Sequence, residues 1–292
     1  MFTQNKLTHN TTMKLTTTIK FLTLSLFGTA SSLHAATIYG LTSGNELIRF
    51  DSATPGSITT IGTISQPGIV DLDFFPVNGQ LYAITSNGNT YSLNLGNAAA
   101  TLLFSPLSAI SNITDLDFNP VADRMRLFGD TDQNYRMVPD VITAPSAAGT
   151  AGTVIFDGTF SNTAFELESS AYTNNFDGAT STTLYSIDTT TDSLVIHSVS
   201  PQFNTVTAVG TGLGTAIGNN VGFDVGQDGI AYLSDANNFY TVNLATGIAT
   251  SAGAVGGSGL VSIAALAVPE PGSALLGLTG LAVLAARRRR TV

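Results

Sequence analysis

The feature that most constrains the fold of this chain is an internal repeat. Residues 69–94 and 113–140 share a frame of aspartate, proline and tyrosine positions at an offset of 44 residues. The aligned pairs are Asp71 and Asp115, Asp73 and Asp117, Pro76 and Pro120, and Tyr91 and Tyr135. A fixed period of this length is typical of architectures made from stacked supersecondary units.

Short β-rich runs, separated by Gly, Asn, Asp and Pro turns, fill the remainder of the central region. They fall into groups of four over residues 69–104, 113–158, 167–210 and 220–254. The first group, 37–64, has only three runs, and a run at 260–268 follows the last group without a partner. The two ends of this region therefore supply complementary parts of one further group.

The five groups cover residues 36–267 and average about 46 residues, which is the length of a propeller blade. A propeller closes its ring when one end of the chain completes the blade begun by the other, and closure leaves only short strand edges. We therefore predict an all-β fold, a β-propeller of five four-stranded blades, with 260–268 as the inner strand of the N-terminal blade. Six blades or a β-sandwich are the alternatives.

The N-terminal segment 1–35 has the features of a secretory signal peptide. A start at Met13 places Lys14 and Lys20 in a positive region ahead of a short apolar stretch, and cleavage is expected after Ala35. Export would involve signal peptidase as a transient partner.

The C-terminal segment 268–292 contains Pro269, Glu270 and Pro271, an apolar run and four final arginines. The run of about 14 residues is shorter than the roughly 20 that span a bilayer. This arrangement resembles the PEP-CTERM sorting signal of Gram-negative bacteria. The resemblance implies transient anchoring in the inner membrane through 272–286 and removal of the tail by an exosortase near the Pro-Glu-Pro. The mature protein would then reside in the cell envelope or the extracellular matrix.

Charge and cysteine content exclude several functions. The region between the chain ends holds 19 acidic residues against four arginines, and the chain has no Cys. An acidic surface repels nucleic acid and anionic lipid, so we predict neither as a partner of the domain. Disulfides, a cysteine nucleophile and thiolate metal sites are also excluded.

Three of the four arginines in the central region lie in the second copy of the repeat. Arg124 and Arg126 share one face of a predicted strand, and Asn134 and Arg136 share a face of the next. The guanidinium groups either bind an anionic group, such as a uronic acid or a peptide carboxylate, or pair with aspartates and connect adjacent blades. Those aspartates are Asp115, Asp117 and Asp123. The ligand-binding candidates are Arg124, Arg126, Asn134, Arg136, Asp117, Asn119, Asp123, Tyr172 and Asn174.

The same stretch carries a family resemblance. The pattern Asp-Phe-Asn-Pro at 117–120, Asp-Arg-x-Arg at 123–126 and Asn-x-Arg at 134–136, followed by 171–175 and 183–188, resembles a bacterial family of secreted, propeller-like domains of unknown function. The resemblance covers nearly all of the central region. It implies the fold and export, and it implies no activity.

Several aspartates are candidates for metal binding. The Asp-Leu-Asp pairs of the repeat either hold a hard cation, perform acid–base work or accept hydrogen bonds from turn N–H groups. Asp130 and Asp132 begin a calcium-loop pattern, but Tyr135 stands where the loop needs Gly and Val141 where it needs Glu. We therefore predict no cofactor, with calcium as the alternative.

Two functions are compatible with these residues. The first is an exported binding or structural module whose partner is an exopolysaccharide or an envelope protein, since no catalytic constellation is present. His197 is predicted to be a packed or edge residue of a strand. The second is a metal-dependent propeller hydrolase or lactonase, which rests on fold analogy. Its metal ligands would come from Asp117, Asn119, Glu168 and Asn174.

Overall fold

The structure is a computed structural model that describes residues 35–141, 149–161, 164–199 and 202–266. The predicted signal peptide, apart from Ala35, lies outside the described residues. So do the predicted sorting signal 268–292 and its processing residues Pro269, Glu270 and Pro271. Within the described ranges, no helix has the length and apolar character needed to cross a membrane.

In the described part of the chain, twenty strands form five antiparallel four-stranded sheets. Blade 1 consists of β20 (Leu260–Leu266), β1 (Thr37–Thr42), β2 (Glu46–Asp51) and β3 (Thr59–Thr63). Blade 2 consists of β4 (Ile69–Phe74), β5 (Leu81–Thr85), β6 (Thr90–Leu93) and β7 (Ala100–Phe104). Blade 3 consists of β8 (Ile113–Asn119), β9 (Arg124–Gly129), β10 (Gln133–Met137) and β11 (Val154–Thr159). Blade 4 consists of β12 (Leu167–Tyr172), β13 (Leu184–Asp188), β14 (Ser193–His197) and β15 (Val206–Ala208). Blade 5 consists of β16 (Val221–Val225), β17 (Ala231–Asp235), β18 (Asn238–Val242) and β19 (Ala249–Ala254).

The ring closes through blade 1. β20 pairs antiparallel with β1, with Tyr39 opposite Ala264, so the last strand of the domain completes the blade that the first strand begins. This arrangement confirms the predicted five-bladed β-propeller, in which the described part of 260–268, strand β20, is an inner strand. It also contradicts the β-sandwich and six-blade alternatives.

Five apolar clusters lie between neighbouring blades and form the core. Between blades 2 and 3, for example, the rings of Phe75 and Phe118 stack with centroids 4.3 Å apart, and Tyr82 meets Phe118 edge-on. The inner strands are almost fully buried, whereas every residue of the outermost strands β7 and β19 is exposed or partly exposed. Because all five sheets and all five clusters are made from residues 35–266, this segment contains a complete folding unit.

Candidate functional site

The inner strands β4, β8, β12, β16 and β20 contact one another in a ring around the propeller axis. Their side chains connect the blades by accepting hydrogen bonds from the backbone of the next inner strand. Between β4 and β8, the Leu116 N–H donates to Asp71 Oδ2 at 2.6 Å and the Phe118 N–H donates to Asp73 Oδ2 at 3.0 Å. The Asp-Leu-Asp pairs therefore satisfy backbone N–H groups, but those of a neighbouring strand and not those of turns.

The same type of hydrogen bond continues around the whole ring. The donors and acceptors are Ser170 N–H to Asp115 (2.9 Å), Tyr172 N–H to Asp117 (3.3 Å), Phe223 N–H to the Ser169 hydroxyl (3.0 Å), Ala265 N–H to Asp224 (2.6 Å) and Leu72 N–H to the Ser262 hydroxyl (3.2 Å). Every interface between adjacent blades thus contains at least one such bond. The bonds fix the relative height of neighbouring inner strands.

Positions in this ring without a polar side chain carry small residues, because neighbouring backbones approach closely. A Cβ atom at Gly222 would lie 2.6 Å from the Ile263 nitrogen and 2.8 Å from the Ser262 carbonyl carbon. Such distances are shorter than normal contacts, so glycine is required at that position.

Three aspartates converge on the axis, and we call Asp73, Asp117 and Asp224 the hub carboxylates. One oxygen of each lies within 4.8 Å of the others, and all three residues are buried. In the ring, β16 lies between β12 and β20. Asp224 therefore approaches the carboxylates of β4 and β8 from across the axis. Sequence reasoning missed Asp224, although it stands in the frame of its own inner strand where Asp73 and Asp117 stand in theirs.

Burial raises the pKa of these carboxyl groups. The pKa of Asp224 rises to about 7, with backbone N–H groups opposing the effect of burial. The pKa values of Asp73 and Asp117 are raised well above the usual range by burial and then by the charges of neighbouring aspartates. The pKa of Asp71, which lies two residues before Asp73 on β4, is raised by burial to about 6. The axis is therefore a buried acidic environment.

The arginine cluster has a different environment. Arg126 is buried, and its guanidinium donates to Asp157 at 2.7 Å, to Asn134 Oδ1 at 2.6 Å and to the Tyr172 hydroxyl at 3.1 Å. Arg136 forms a bidentate ion pair with the same Asp157 carboxylate at 2.7 and 2.8 Å. Asp157, which sequence reasoning missed, is thus the shared counterion. The sequence feature that could have identified Asp157 is its position on the strand after Arg136, in the same group of four runs.

This network connects blades 3 and 4. The side-chain amide of Asn134 donates to the Gln202 carbonyl at 2.7 Å, and the Arg126 guanidinium carbon lies 5.2 Å from the centroid of the Phe203 ring. Arg126 therefore pairs with an aspartate and contacts the next blade, but that aspartate is Asp157. The expected partners are not Asp115 and Asp117, because those carboxylates bind the backbone of β12.

Arg124 lies beside this network at a small cavity of about 30 Å³ that Asn119, Arg136 and Tyr172 also line. Burial, and then the charge of Arg136, lower the pKa of Arg124. Asp123, which precedes it in the β8–β9 turn, is buried. The cavity has room for about one or two water molecules.

The other sequence candidates lie apart from one another. Asp130 and Asp132 lie in the short turn between β9 and β10, where Asp132 adopts a positive φ of 62°. Asn119 caps the end of β8 by accepting the Val121 and Ala122 N–H groups, both at 3.0 Å. Asn174 follows β12 and donates to the Ser181 carbonyl at 2.9 Å.

His197 is packed in the core of blade 4. Its Nε2 lies 2.7 Å from the Ser186 hydroxyl and its Nδ1 lies 2.7 Å from the Phe203 carbonyl oxygen. Burial lowers the pKa of His197 to about 4, and Ser186 is fully buried. The pair is thus a buried structural contact, in agreement with the predicted packed histidine.

A funnel opens at the end of the channel where the inner strands begin. It encloses about 440 Å³ and lies within the usual size range of small-ligand pockets. Its lining residues are Thr42, Ser43, Asn45, Gly68, Ile69, Val70, Thr114, Glu168, Asn219, Asn220, Val221 and Val261. Strands or loops of all five blades contribute to this surface, and Glu168 is the one ionisable residue in the set.

Repeated β-bulges direct side chains into the funnel. Val70, Thr114, Glu168 and Val261 are each skipped in the strand pairing, which resumes at the next residue. A bulge re-aims a side chain that regular alternation would send to the other face of the sheet. The four bulges occupy equivalent places in four blades, so the funnel is a repeated feature of the fold.

The metal ligands expected for a hydrolase do not lie in one place. Glu168 is in the funnel, whereas Asn119 is the last residue of β8 and Asn174 lies two residues after β12, toward the other mouth of the channel. The four residue steps from Glu168 to Tyr172 alone span about 13 Å. Asp117 lies between these levels, among the hub carboxylates.

Two solved structures match the chain with low sequence identity. A structural genomics protein of unknown function from Bacteroides thetaiotaomicron VPI-5482 matches with 12% identity and a TM-score of 0.43, over 76% of this chain and 58% of that chain. An auxiliary nutrient binding protein from Bacteroides ovatus ATCC 8483 matches with 11% identity and a TM-score of 0.43, over 71% of this chain and 54% of that chain. The chain thus spans little more than half the length of these two proteins.

No curated protein is significantly similar to the chain. A family model described as "Domain of unknown function (DUF4394)" matches residues 46–267. The matched segment contains the hub carboxylates, the arginine cluster and most of the funnel. Since it covers well over half of the chain, the protein belongs to the DUF4394 family of domains of unknown function.

Proposed function

We propose that this protein is an exported binding module and that its ligand enters the funnel. The observation that carries the proposal is the set of four equivalent β-bulges, which direct Val70, Thr114, Glu168 and Val261 into one opening. Bulges interrupt the hydrogen bonding of a strand pair, and they recur next to functional sites. Four such interruptions that serve one opening favour a binding role.

The chemistry of the lining favours a neutral, polyhydroxylated ligand. Most polar groups of the funnel are hydroxyls and amides, which exchange hydrogen bonds with sugar hydroxyls. The aliphatic residues Ile69, Val70, Val221 and Val261 offer apolar contact to a sugar ring. Burial, and then the charge of Glu166, raise the pKa of Glu168, which reduces the penalty for placing this carboxyl against a neutral ligand. We therefore propose an exopolysaccharide as the ligand.

Thr114→Phe is expected to weaken binding of the exopolysaccharide about tenfold or more, because the ring occupies space in the funnel. Binding would be measured by calorimetry with fragments of the polymer that the producing cells secrete. Thr101→Phe is the matched control, since Thr101 lies on the exposed outer strand β7. The two variants are expected to melt within a few degrees of the wild-type domain.

Equal affinity of Thr114→Phe and the wild type would contradict the funnel as the site. Loss of affinity in both variants would indicate binding by the outer surface. No saturable heat for the wild type would contradict an exopolysaccharide ligand.

We also propose that the chain is exported and then processed at its C-terminal tail, on the evidence of the residue pattern at both ends. In a Gram-negative host with an exosortase, intact mass spectrometry is expected to show loss of residues 1–35 and of the tail near Pro269. In the same host without the exosortase, the tail is expected to remain and the protein to fractionate with the membrane. Identical masses in the two hosts would contradict processing by exosortase.

A further inference from the structure

We propose that the hub carboxylates bind one calcium ion on the propeller axis. Oxygen atoms from Asp73, Asp117 and Asp224 lie within 4.8 Å of one another. Calcium–oxygen distances of about 2.3–2.6 Å place ligands on opposite sides of one ion about 4.6–5.2 Å apart. Three carboxylates on three different inner strands can therefore share a single calcium ion. Magnesium demands near-ideal octahedral geometry at about 2.0–2.1 Å and usually keeps several waters, which suits a buried group of three carboxylates less well.

An unpartnered oxygen atom provides an independent observation. Asp224 is 2% exposed, and its Oδ2 accepts the Ala265 N–H at 2.6 Å. Its Oδ1 is buried and has no hydrogen-bond partner among the described residues. Buried acceptors in native proteins are almost always satisfied, so an unsatisfied oxygen on one of three converging carboxylates indicates a missing positive partner.

The surroundings of the hub carboxylates are acidic or neutral. Two residues earlier on each inner strand is a second set of side chains, which contains Asp71 and Asp115 and otherwise Ser169, Gly222 and Ser262. At the level of the hub, the two inner strands without a hub carboxylate carry Ala171 and Ala264. The arginine nearest in the strand pairing, Arg126, forms its ion pair with Asp157. Burying several like charges is unfavourable unless protons or a cation neutralise them. A divalent cation neutralises two charges at the point where three carboxylates meet.

The hydrogen bonds that the hub carboxylates already accept are compatible with an ion. Each carboxylate oxygen has two lone pairs, so an oxygen that accepts one N–H retains a site for a cation. The backbone donors Phe118, Tyr172 and Ala265 hold the three carboxylates in fixed positions. Such preorganisation reduces the ordering that binding would otherwise require. The inference is independent of the proposed function, because the hub carboxylates lie deeper in the channel than the funnel residues.

Residues 36–267, dialysed against a chelator and then against metal-free buffer, are expected to bind one calcium ion per chain in equilibrium dialysis. Calcium at about one hundred times its dissociation constant is expected to raise the melting temperature by about 5–10 °C. Magnesium at the same concentration is expected to raise it much less. Absence of stoichiometric calcium binding by the wild type would overturn the proposal.

Asp224→Asn is expected to abolish the calcium-dependent rise and to raise the melting temperature of the calcium-free domain. Asparagine keeps an acceptor for the Ala265 N–H and removes a buried charge. The double variant Asp130→Asn, Asp132→Asn is the control, and its calcium response is expected to equal that of the wild type. An unchanged response in Asp224→Asn, or a lost response in the control, would overturn the assignment to the hub. If Asp224→Asn does not fold, the calcium response of Asp73→Asn is measured in its place, together with the equilibrium dialysis of the wild type.

Discussion

Asp157→Asn is expected to lower the free energy of unfolding by about 3–5 kcal/mol, the usual effect of removing one member of a buried ion pair. The Asp157 side chain is 3% exposed and accepts hydrogen bonds from both Arg126 and Arg136. The substitution keeps the shape of the side chain but removes the negative charge that faces two guanidinium groups. Thermal and denaturant unfolding of the wild type and the variant would measure the loss, which corresponds to a fall in melting temperature of about 6–20 °C.

Arg136→Gln is the matched control for this prediction. The Arg136 side chain is 26% exposed, so solvent screens its interaction with Asp157, and its loss is expected to cost about 1 kcal/mol. Equal losses of unfolding free energy for the two variants would show that the buried Arg126–Asp157 pair contributes no more to stability than the partly exposed Arg136–Asp157 pair. A loss below about 1 kcal/mol for Asp157→Asn would contradict its role as the shared counterion.

A chain that ends at Gly259 is expected to lose the cooperative fold, because it lacks β20. Leu260 and Ile263 each bury a large side chain, which contributes about 1.5–3 kcal/mol. The truncation also removes the strand that pairs with β1 and two of the hydrogen bonds that link inner strands, those of Ala265 and Ser262. These losses together are comparable to the total stability of about 5–15 kcal/mol that is typical of a domain.

A chain that ends at Ala267 is the control and is expected to unfold at the same temperature as a chain that retains the tail. Circular dichroism and differential scanning calorimetry would compare the two truncations. A sharp unfolding transition in the chain that ends at Gly259 would contradict the closure of blade 1 by the C-terminal strand.

The architecture could be predicted from the sequence because its determinants are local and repetitive. The spacing between the Asp-Leu-Asp pairs gives the length of a blade, and turn residues mark the ends of each strand. The unpartnered run at 260–268 and the three-stranded group at 37–64 are complementary, which predicts the closure. Each of these inferences needs only strand length and order, and none needs the direction of a side chain.

The candidate sites could not be predicted fully because they depend on side-chain direction. A single bulge at Thr114 changes which of its neighbours face the axis, and strict alternation would have assigned them differently. Asp224 joins Asp73 and Asp117 only because the ring brings distant strands to one point. Asp157 is the partner of Arg126 through the pairing of β9, β10 and β11, and this pairing follows from tertiary structure.

The calcium and funnel proposals concern different levels of one channel, and separate experiments distinguish them. Calcium binding without binding of a polymer would leave the hub carboxylates as a structural metal site. Binding of a polymer without calcium would leave the funnel as the functional site of a domain whose hub carboxyl groups are neutralised by protons.

Hydrogen–deuterium exchange of the domain, with and without exopolysaccharide fragments, would locate the surface that binds the ligand. If the ligand enters the funnel, exchange is expected to slow in peptides that cover residues 42–45, 68–70 and 219–221, which surround it. Peptides that cover the outer strands β7 and β19 are expected to be unchanged. Slower exchange confined to residues 119–124 and 173–175, at the other mouth of the channel, would contradict a ligand in the funnel.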